Sequence, residues 1–185
     1  MMRNVLLLLG AVAYLGLAGV VQGQGTGDNT TPPPALLEHP LAAATLFNQA
    51  EQLRKQGLFV EAERDYQRAI RIWENFFGKE HPAVTAGLSG LGDLYQQQGK
   101  LAEAEKLHQR ALVIREQYLG KEHPGTGFSL RSMALLREQQ GRLIEAEVLC
   151  QRAAHIFVTK LPEGHPDIAA TQEQCARLQG RIQKR

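Results

Sequence analysis

The sequence predicts an all-α fold, a right-handed α-solenoid of three helix-turn-helix repeats followed by a C-terminal capping helix. First, the heptapeptide Gly-x-x-x-Glu-Ala-Glu occurs three times at a spacing of 42 residues, beginning at Gly57, Gly99 and Gly141. Second, His-Pro pairs recur at the same spacing, at His39, His81, His123 and His165. Third, Val, Ile and Thr form no alternating runs that would indicate strands. A constant period of this length indicates stacked copies of one supersecondary unit.

Turn residues divide each repeat into two helices. The predicted helices cover residues 41–56, 59–76, 83–98, 101–119, 125–140, 143–159 and 167–181. Apolar residues in the second repeat follow a helical period at Val84, Leu88, Leu91 and Tyr95. Because a glycine in the left-handed conformation commonly ends a helix, the heptapeptide glycines are expected to separate the two helices of each repeat. Because proline suits the first turn of a helix, each His-Pro pair is expected to open the next helix.

Several positions keep one residue type at every 42-residue interval, and we call such a set of positions a column. One column is always small (Ala50, Gly92, Ala134 and Ala176), and two are always alanine (Ala62, Ala104 and Ala146; Ala69, Ala111 and Ala153). Small residues at fixed positions allow two helices to approach closely, so these columns are predicted helix contacts. The two acids of each Glu-Ala-Glu triplet are expected to point outward near the helix N-terminus.

The repeated histidines are predicted to cap helices or to pack in the loops. Stacked layers of helices lie about 8–10 Å apart, whereas zinc needs nitrogen ligands at about 2.0–2.1 Å, so equivalent histidines cannot share one ion. His108 is expected in the core. The sequence has no Gly-rich phosphate loop and no Ser/His/Asp spacing typical of catalysis. We therefore expect a non-enzymatic protein, with no catalytic, cofactor-binding or metal-binding residues and no cofactor.

The N-terminal segment is predicted to direct export. Residues 1–23 have the layout of a secretory signal peptide, with Arg3, an uncharged apolar stretch Val5–Val21, and a cleavage site after Gly23. The alternative is an uncleaved membrane anchor facing outside the cytoplasm, since a spanning helix needs about 17–25 residues. Residues 24–38 are predicted to be a flexible linker rich in Gly and Pro, and 39–185 the repeat domain. The expected location is secreted or periplasmic.

The charge balance excludes several partner classes. The formal net charge is only +2 at pH 7, which gives no electrostatic footprint for nucleic acid. No run of like charges suggests a membrane-surface patch either. We therefore expect no nucleic-acid partner and no membrane contact beyond the signal segment.

The segments Gly99–Glu116 and Leu119–Pro124 resemble tetratricopeptide repeats, in particular the 42-residue repeats of kinesin light chains. The resemblance covers about residues 39–184. It implies a protein-interaction scaffold that binds a peptide or partner domain in a concave groove lined by the first helix of each repeat. Carried over by register, the groove residues are Phe47, Glu51, Arg54, Ser89, Asp93, Gln96, Phe128, Arg131, Leu135 and Glu138. The alternative for these residues is a solvated helix face.

Phe47, Phe128 and Leu135 favour the groove interpretation, because they are apolar on a face that the core does not need. The Lys and Asn clamp of chaperone-type repeats is missing, and Asn48 alone remains of the paired asparagines of kinesin light chains, so the cargo specificity of that family is not carried over. A rival function is a structural module that self-assembles as a homo-oligomer through the exposed ends of the array.

Cys150 and Cys175 are the only cysteines. An even count in an exported protein is compatible with a disulfide. Register places Cys150 in a second-helix column that faces the next repeat, and Cys175 in the first-helix column that meets it. We therefore predict a disulfide between these residues; the alternative is a pair of buried thiols.

Overall fold

Seven α-helices follow one another along residues 39–184, the part of the chain that the computed structural model describes. We number them α1 (Pro40–Lys55), α2 (Phe59–Phe77), α3 (Val84–Gln97), α4 (Leu101–Leu119), α5 (Pro124–Gln139), α6 (Leu143–Lys160) and α7 (Pro166–Gln183). Their ends lie within about two residues of the predicted ones. The predicted signal peptide and linker lie outside the described residues.

The helices form three layers, α1 with α2, α3 with α4, and α5 with α6, and α7 packs against α6. The all-α solenoid of three repeats and a capping helix is thus confirmed. The alanine column at Ala62, Ala104 and Ala146 is fully buried, as is the column at Ala69 and Ala153. Ala176 of the small column is exposed instead, because α7 has no second helix of its own to cover it.

Three of the four repeated histidines, His39, His123 and His165, are the N-caps of α1, α5 and α7, as the sequence predicted. His81 makes the equivalent hydrogen bond in the turn before α3, whose N-cap is Ala83. Each Nδ1 atom accepts a hydrogen bond from the backbone N–H two residues later, at distances of 3.3 Å (Leu41), 3.2 Å (Ala83), 3.0 Å (Gly125) and 3.3 Å (Asp167). At the other end of each first helix, Gly57, Gly99 and Gly141 have φ angles of 79°, 75° and 77°. Only this left-handed backbone lets the chain turn directly into the second helix, and it favours glycine.

The second acid of each Glu-Ala-Glu triplet binds the next layer, which differs from the expectation that both acids point outward. Glu63 accepts a 2.7 Å hydrogen bond from the Tyr95 hydroxyl. Glu105 forms a 2.7 Å ion pair with Arg137. Glu147 accepts a 3.1 Å hydrogen bond from Gln179. The three partners occupy one column, so the same cross-layer contact is made three times with different chemistry.

A disulfide joins α6 to α7. Sγ of Cys150 is bonded to Sγ of Cys175, with the two Cα atoms 5.6 Å apart. Cys150 is fully buried and Cys175 nearly so, in an apolar cluster with Ala134, Ala146 and Leu178. The bond therefore fixes the capping helix over the third layer. Within residues 39–184, no helix is both long and apolar enough to cross a membrane.

Candidate partner-binding groove

The predicted groove residues lie on the first helices α1, α3 and α5. Nine of the ten are partly buried, and Leu135 is exposed. Their surroundings differ from layer to layer. The first layer contributes an aromatic cluster, the second a set of polar and titratable groups, and the third a second aromatic cluster bordered by α7.

Phe47 marks the first-layer end of the groove. Its ring lies edge-on to Tyr66, with centroids 5.9 Å apart, and 6.0 Å from the Trp73 ring. Glu51, one turn along α1, accepts a hydrogen bond from the Tyr66 hydroxyl and forms a 2.8 Å ion pair with Arg54. Phe47 thus rests on the core with one side and is partly exposed on the other.

Gly90 explains how Tyr66 reaches this position. A Cβ atom on Gly90 would lie 2.5 Å from Cε1 of Tyr66 and 3.2 Å from Oε1 of Glu51. Glycine in the middle of a helix is unfavourable by about 1 kcal/mol relative to alanine. The absence of a side chain here lets α3 of the second layer pack against the Tyr66–Glu51 hydrogen bond of the first layer.

Phe128 lies at the third-layer end of the groove. Its ring centroid is 4.9 Å from that of the buried Phe157. The Arg131 guanidinium lies 5.4 Å from the Phe128 centroid, a cation–π distance, and forms a 2.5 Å ion pair with Asp167 of α7. Further along α5, Glu138 pairs with Arg177 at 3.3 Å and with Arg181 at 2.5 Å. The capping helix therefore neutralises two of the predicted groove charges.

Arg115 occupies the second layer where the flanking layers hold aromatic residues. Its column contains Trp73 and Phe157. Arg115 donates a 2.5 Å hydrogen bond to Ser129 Oγ and a 3.5 Å one to the Thr85 carbonyl. Within residues 39–184 no carboxylate lies within 4.0 Å of it. Burial lowers the pKa of Arg115, and the charge of Asp93 opposes that shift. A positive charge thus lies between two aromatic clusters.

Asp93 and His108 form the titratable pair of the second layer. Nε2 of His108 lies 3.5 Å from Oδ1 of Asp93. His108 is 1% exposed, as predicted for a core residue, and a Cβ atom on Gly92 would lie 2.8 Å from its ring. Burial lowers the pKa of His108 to about 4, with Arg115 adding to the shift. His108 is therefore neutral at pH 7.

The pKa of Asp93 moves in the opposite direction. Burial raises it to about 6, against the attraction of Arg54, Arg115 and Arg131. At neutral pH the Asp93 carboxylate is mostly ionised. At neutral pH the second layer therefore contains a mostly ionised carboxylate, Asp93, beside a neutral imidazole, His108.

The structure places Tyr66, His108, Arg115 and Asp167 next to the predicted groove residues, and the sequence reasoning did not identify these neighbours. Arg115 could have been found by comparing columns, since a charged residue replaces two aromatic ones there. Asp167 gave no such signal, because its contact depends on how α7 closes over α5. Within the part of the chain described, no three His, Cys, Asp or Glu side chains are grouped as metal ligands.

This architecture, helix pairs stacked in register, defines a tetratricopeptide-type α-solenoid. The family described as tetratricopeptide repeat matches residues 41–112 and again 84–153. The chain belongs to the tetratricopeptide-repeat family. It matches no curated protein.

Solved structures with the same fold include kinesin-light-chain-type proteins. One is a kinesin-light-chain-type protein from Podosopora anserina, which itself consists of nearly identical TPR-like repeats. Its sequence is 27% identical to this chain, with a TM-score of 0.70, and the match covers 80% of this chain and 71% of that one. A substituted form of it is 26% identical with the same TM-score, over 79% and 70%. BtubC (BKLC) from P. vanneervenii, at 20% identity and a TM-score of 0.68 over 76% and 56%, shares the fold.

Proposed function

We propose that the chain is an exported, non-enzymatic scaffold that binds a peptide or a segment of a partner domain in its concave groove. Tetratricopeptide repeats generally bind protein partners. The observation that carries the proposal is the arrangement of partly exposed Phe47 and Phe128 on either side of Arg115, which has no carboxylate within 4.0 Å among residues 39–184. Apolar anchors flanking a charge are typical of a binding hot spot.

The arrangement favours a ligand with a particular chemistry. First helices of adjacent layers lie roughly 8–10 Å apart, so the two aromatic clusters are separated by roughly 16–20 Å, or about five or six residues of extended chain. We propose an extended peptide with an apolar side chain near each end and a carboxylate between them. The carboxylate would pair with Arg115 and the apolar groups would contact Phe47 and Phe128.

The test is selection of peptides from a random library, followed by affinity measurement on variants. We expect Phe128→Ala and Arg115→Gln each to weaken the selected peptide by about 2 kcal/mol or more. Phe76→Ala is the matched control, because Phe76 is 59% exposed and lies outside the groove. Circular dichroism separates lost binding from lost folding. Equal weakening by Phe76→Ala, or none by Phe128→Ala, would contradict the groove assignment.

Export is tested on the natural protein. If residues 1–23 are removed as a signal peptide, intact mass and N-terminal sequencing of the extracytoplasmic protein will show a chain that begins at Gln24. An uncleaved anchor would leave the full mass in the membrane fraction. The rival function, self-assembly through the array ends, predicts a mass by light scattering that rises with concentration.

A further inference from the structure

The exposed face of α2 differs from the equivalent faces of α4 and α6 in the contacts that its arginine makes. Arg68, Arg110 and Arg152 occupy one column. Arg110 forms a 2.7 Å ion pair with Glu74 and donates a 2.7 Å hydrogen bond to the Lys79 carbonyl. Arg152 pairs with Glu116 at 2.8 Å and lies 3.5 Å from the Lys121 carbonyl. Arg68 makes neither contact within residues 39–184, because no described layer precedes the first one.

Arg68 instead lines a shallow pocket of about 320 Å³ at this end of the array, together with Arg71, Ile72, Asn75 and Phe76. We call these five residues the α2 end face. It contains two exposed arginines and no acid. Phe76 is 59% exposed and lies against Phe77, with ring centroids 4.9 Å apart. The face thus combines positive charge with exposed aromatic surface.

The α2 end face lies where the upstream chain enters the array. The His39 ring, one residue before α1, is 6.1 Å from the Phe76 ring. Upstream of His39 the sequence contains the uncharged apolar stretch Val5–Val21, which is predicted to engage a membrane during export or as an anchor. In the sequence, residues 22–38 lie between that stretch and His39.

We infer that the α2 end face docks on an anionic lipid surface. Arginines attract anionic headgroups, and aromatic side chains favour the interface between headgroups and acyl chains. The sequence contains no run of like charges, and the sequence analysis therefore expected no membrane contact beyond the signal segment, from which this inference departs. Helical spacing places Arg68 and Arg71 three residues apart, on one side of α2. This surface is separate from the groove, so the inference does not rest on peptide binding.

The experiment uses the full chain with Leu7→Glu and Leu8→Glu, which prevent the apolar stretch from inserting and dominating the result. Binding is measured by co-sedimentation with vesicles of phosphatidylcholine alone or mixed with phosphatidylglycerol. Each basic residue near an anionic surface contributes about a fivefold change in partition, so Arg68→Gln with Arg71→Gln should lower binding to the mixed vesicles roughly 25-fold. Added salt should weaken the binding of the parent chain.

The matched control is Arg110→Gln with Arg152→Gln, which removes the same charge from the paired members of the column. We expect it to leave vesicle binding within a factor of two or so of the parent chain, since these arginines are engaged by Glu74 and Glu116. Phe76→Ala should lower binding and Tyr118→Ala, its column counterpart, should not. Circular dichroism confirms that each variant is folded.

Three results would overturn the inference. The parent chain could fail to bind phosphatidylglycerol vesicles, or both double variants could lose binding equally, which would indicate general charge attraction. The third result is protection of Phe76 from hydroxyl-radical oxidation in the absence of vesicles, which would indicate that the upstream segment of the chain covers the α2 end face. The same protection appearing only at high protein concentration would indicate a second copy.

Discussion

The second and third layers share the same arrangement of helices but differ in the side chains between them. At equivalent positions the second layer has Asp93, His108 and Arg115, and the third has Leu135, Cys150 and Phe157. The polar set lies between two flanking layers, where His108 is buried and Asp93 and Arg115 are partly buried, and the pKa values of Asp93 and His108 are shifted. The apolar set is closed by a single helix, α7, that is covalently attached. The difference shows that the repeat determines the positions of the helices but not the residue types at equivalent positions of each layer.

Removing the disulfide should have the largest effect, and it should fall on the third layer. The bond closes a loop with a sequence separation of 25 residues, for which chain entropy gives about 3–4 kcal/mol. We expect the paired change Cys150→Ala and Cys175→Ala to lower the free energy of unfolding by about that amount, measured by urea denaturation. Hydrogen exchange should accelerate in α7 before α3 and α4, because the capping helix is held on one side only.

The control is the unchanged chain with reductant. Alkylation of the unreduced, denatured protein followed by intact mass should count no free thiol. Two free thiols in protein from an oxidising compartment would show that the cysteines are not joined. Uniform acceleration of exchange through all three layers would show that the bond does not act locally on α7.

The alanine column should then reveal whether the two layers tolerate crowding equally. Ala104 in the second layer and Ala146 in the third are both fully buried between helices. Replacing either by leucine should cost roughly 1–3 kcal/mol of unfolding free energy, because the helices must separate. Thermal melting of Ala104→Leu and Ala146→Leu checks this. Ala102→Leu, at an exposed position of the same helix, is the control, and unchanged melting of both buried variants would contradict the assigned contact.

The titratable pair Asp93 and His108 predicts a pH dependence, and the third layer has no such pair. Since folding raises the pKa of Asp93 to about 6, its contribution to stability is lost as pH rises from about 4 to 6. Since folding lowers the pKa of His108 to about 4, its contribution is lost as pH falls from about 6.5 to 4. The two contributions oppose each other in one window, so they largely cancel in the natural protein.

Single variants should separate the two contributions. Relative to the natural protein, Asp93→Asn should become more stable as pH rises from 4 to 6, and His108→Gln should become more stable as pH falls from 6.5 to 4. Urea denaturation across this range measures both difference curves. Leu135→Ala, at the third-layer equivalent of Asp93, should give a flat difference curve. A flat curve for Asp93→Asn as well would show that its ionisation is not linked to folding.

Particular residues show how much of the structure can be predicted from the sequence. The period of 42 residues located every helix, because glycine turns and His-Pro starts are local signals. It also placed His108 in the core. It did not reveal that Glu105 binds Arg137 or that Asp167 binds Arg131, because those pairs depend on the distance between layers and on side-chain conformations. Gly90 had no local explanation either, since its reason lies in the Tyr66 ring of another helix, whereas Gly92 belongs to the small column that the sequence predicted to be a helix contact.

The smallest expected effect concerns the histidines at the starts of α3 and α5: His81 in the turn before α3, and His123 at the N-cap of α5. His81 and His123 both accept a backbone hydrogen bond through Nδ1, but only His81 also stacks on a phenylalanine, with its ring 4.6 Å from that of Phe77. Replacing a capping side chain by alanine costs about 1 kcal/mol, and asparagine restores the acceptor. His123→Asn should therefore recover the stability that His123→Ala loses. His81→Asn should recover the cap but not the stacking, worth about 0.5–1.5 kcal/mol. Urea denaturation of the four variants measures the difference, and full recovery in His81→Asn would show that the Phe77 contact adds nothing to the cap.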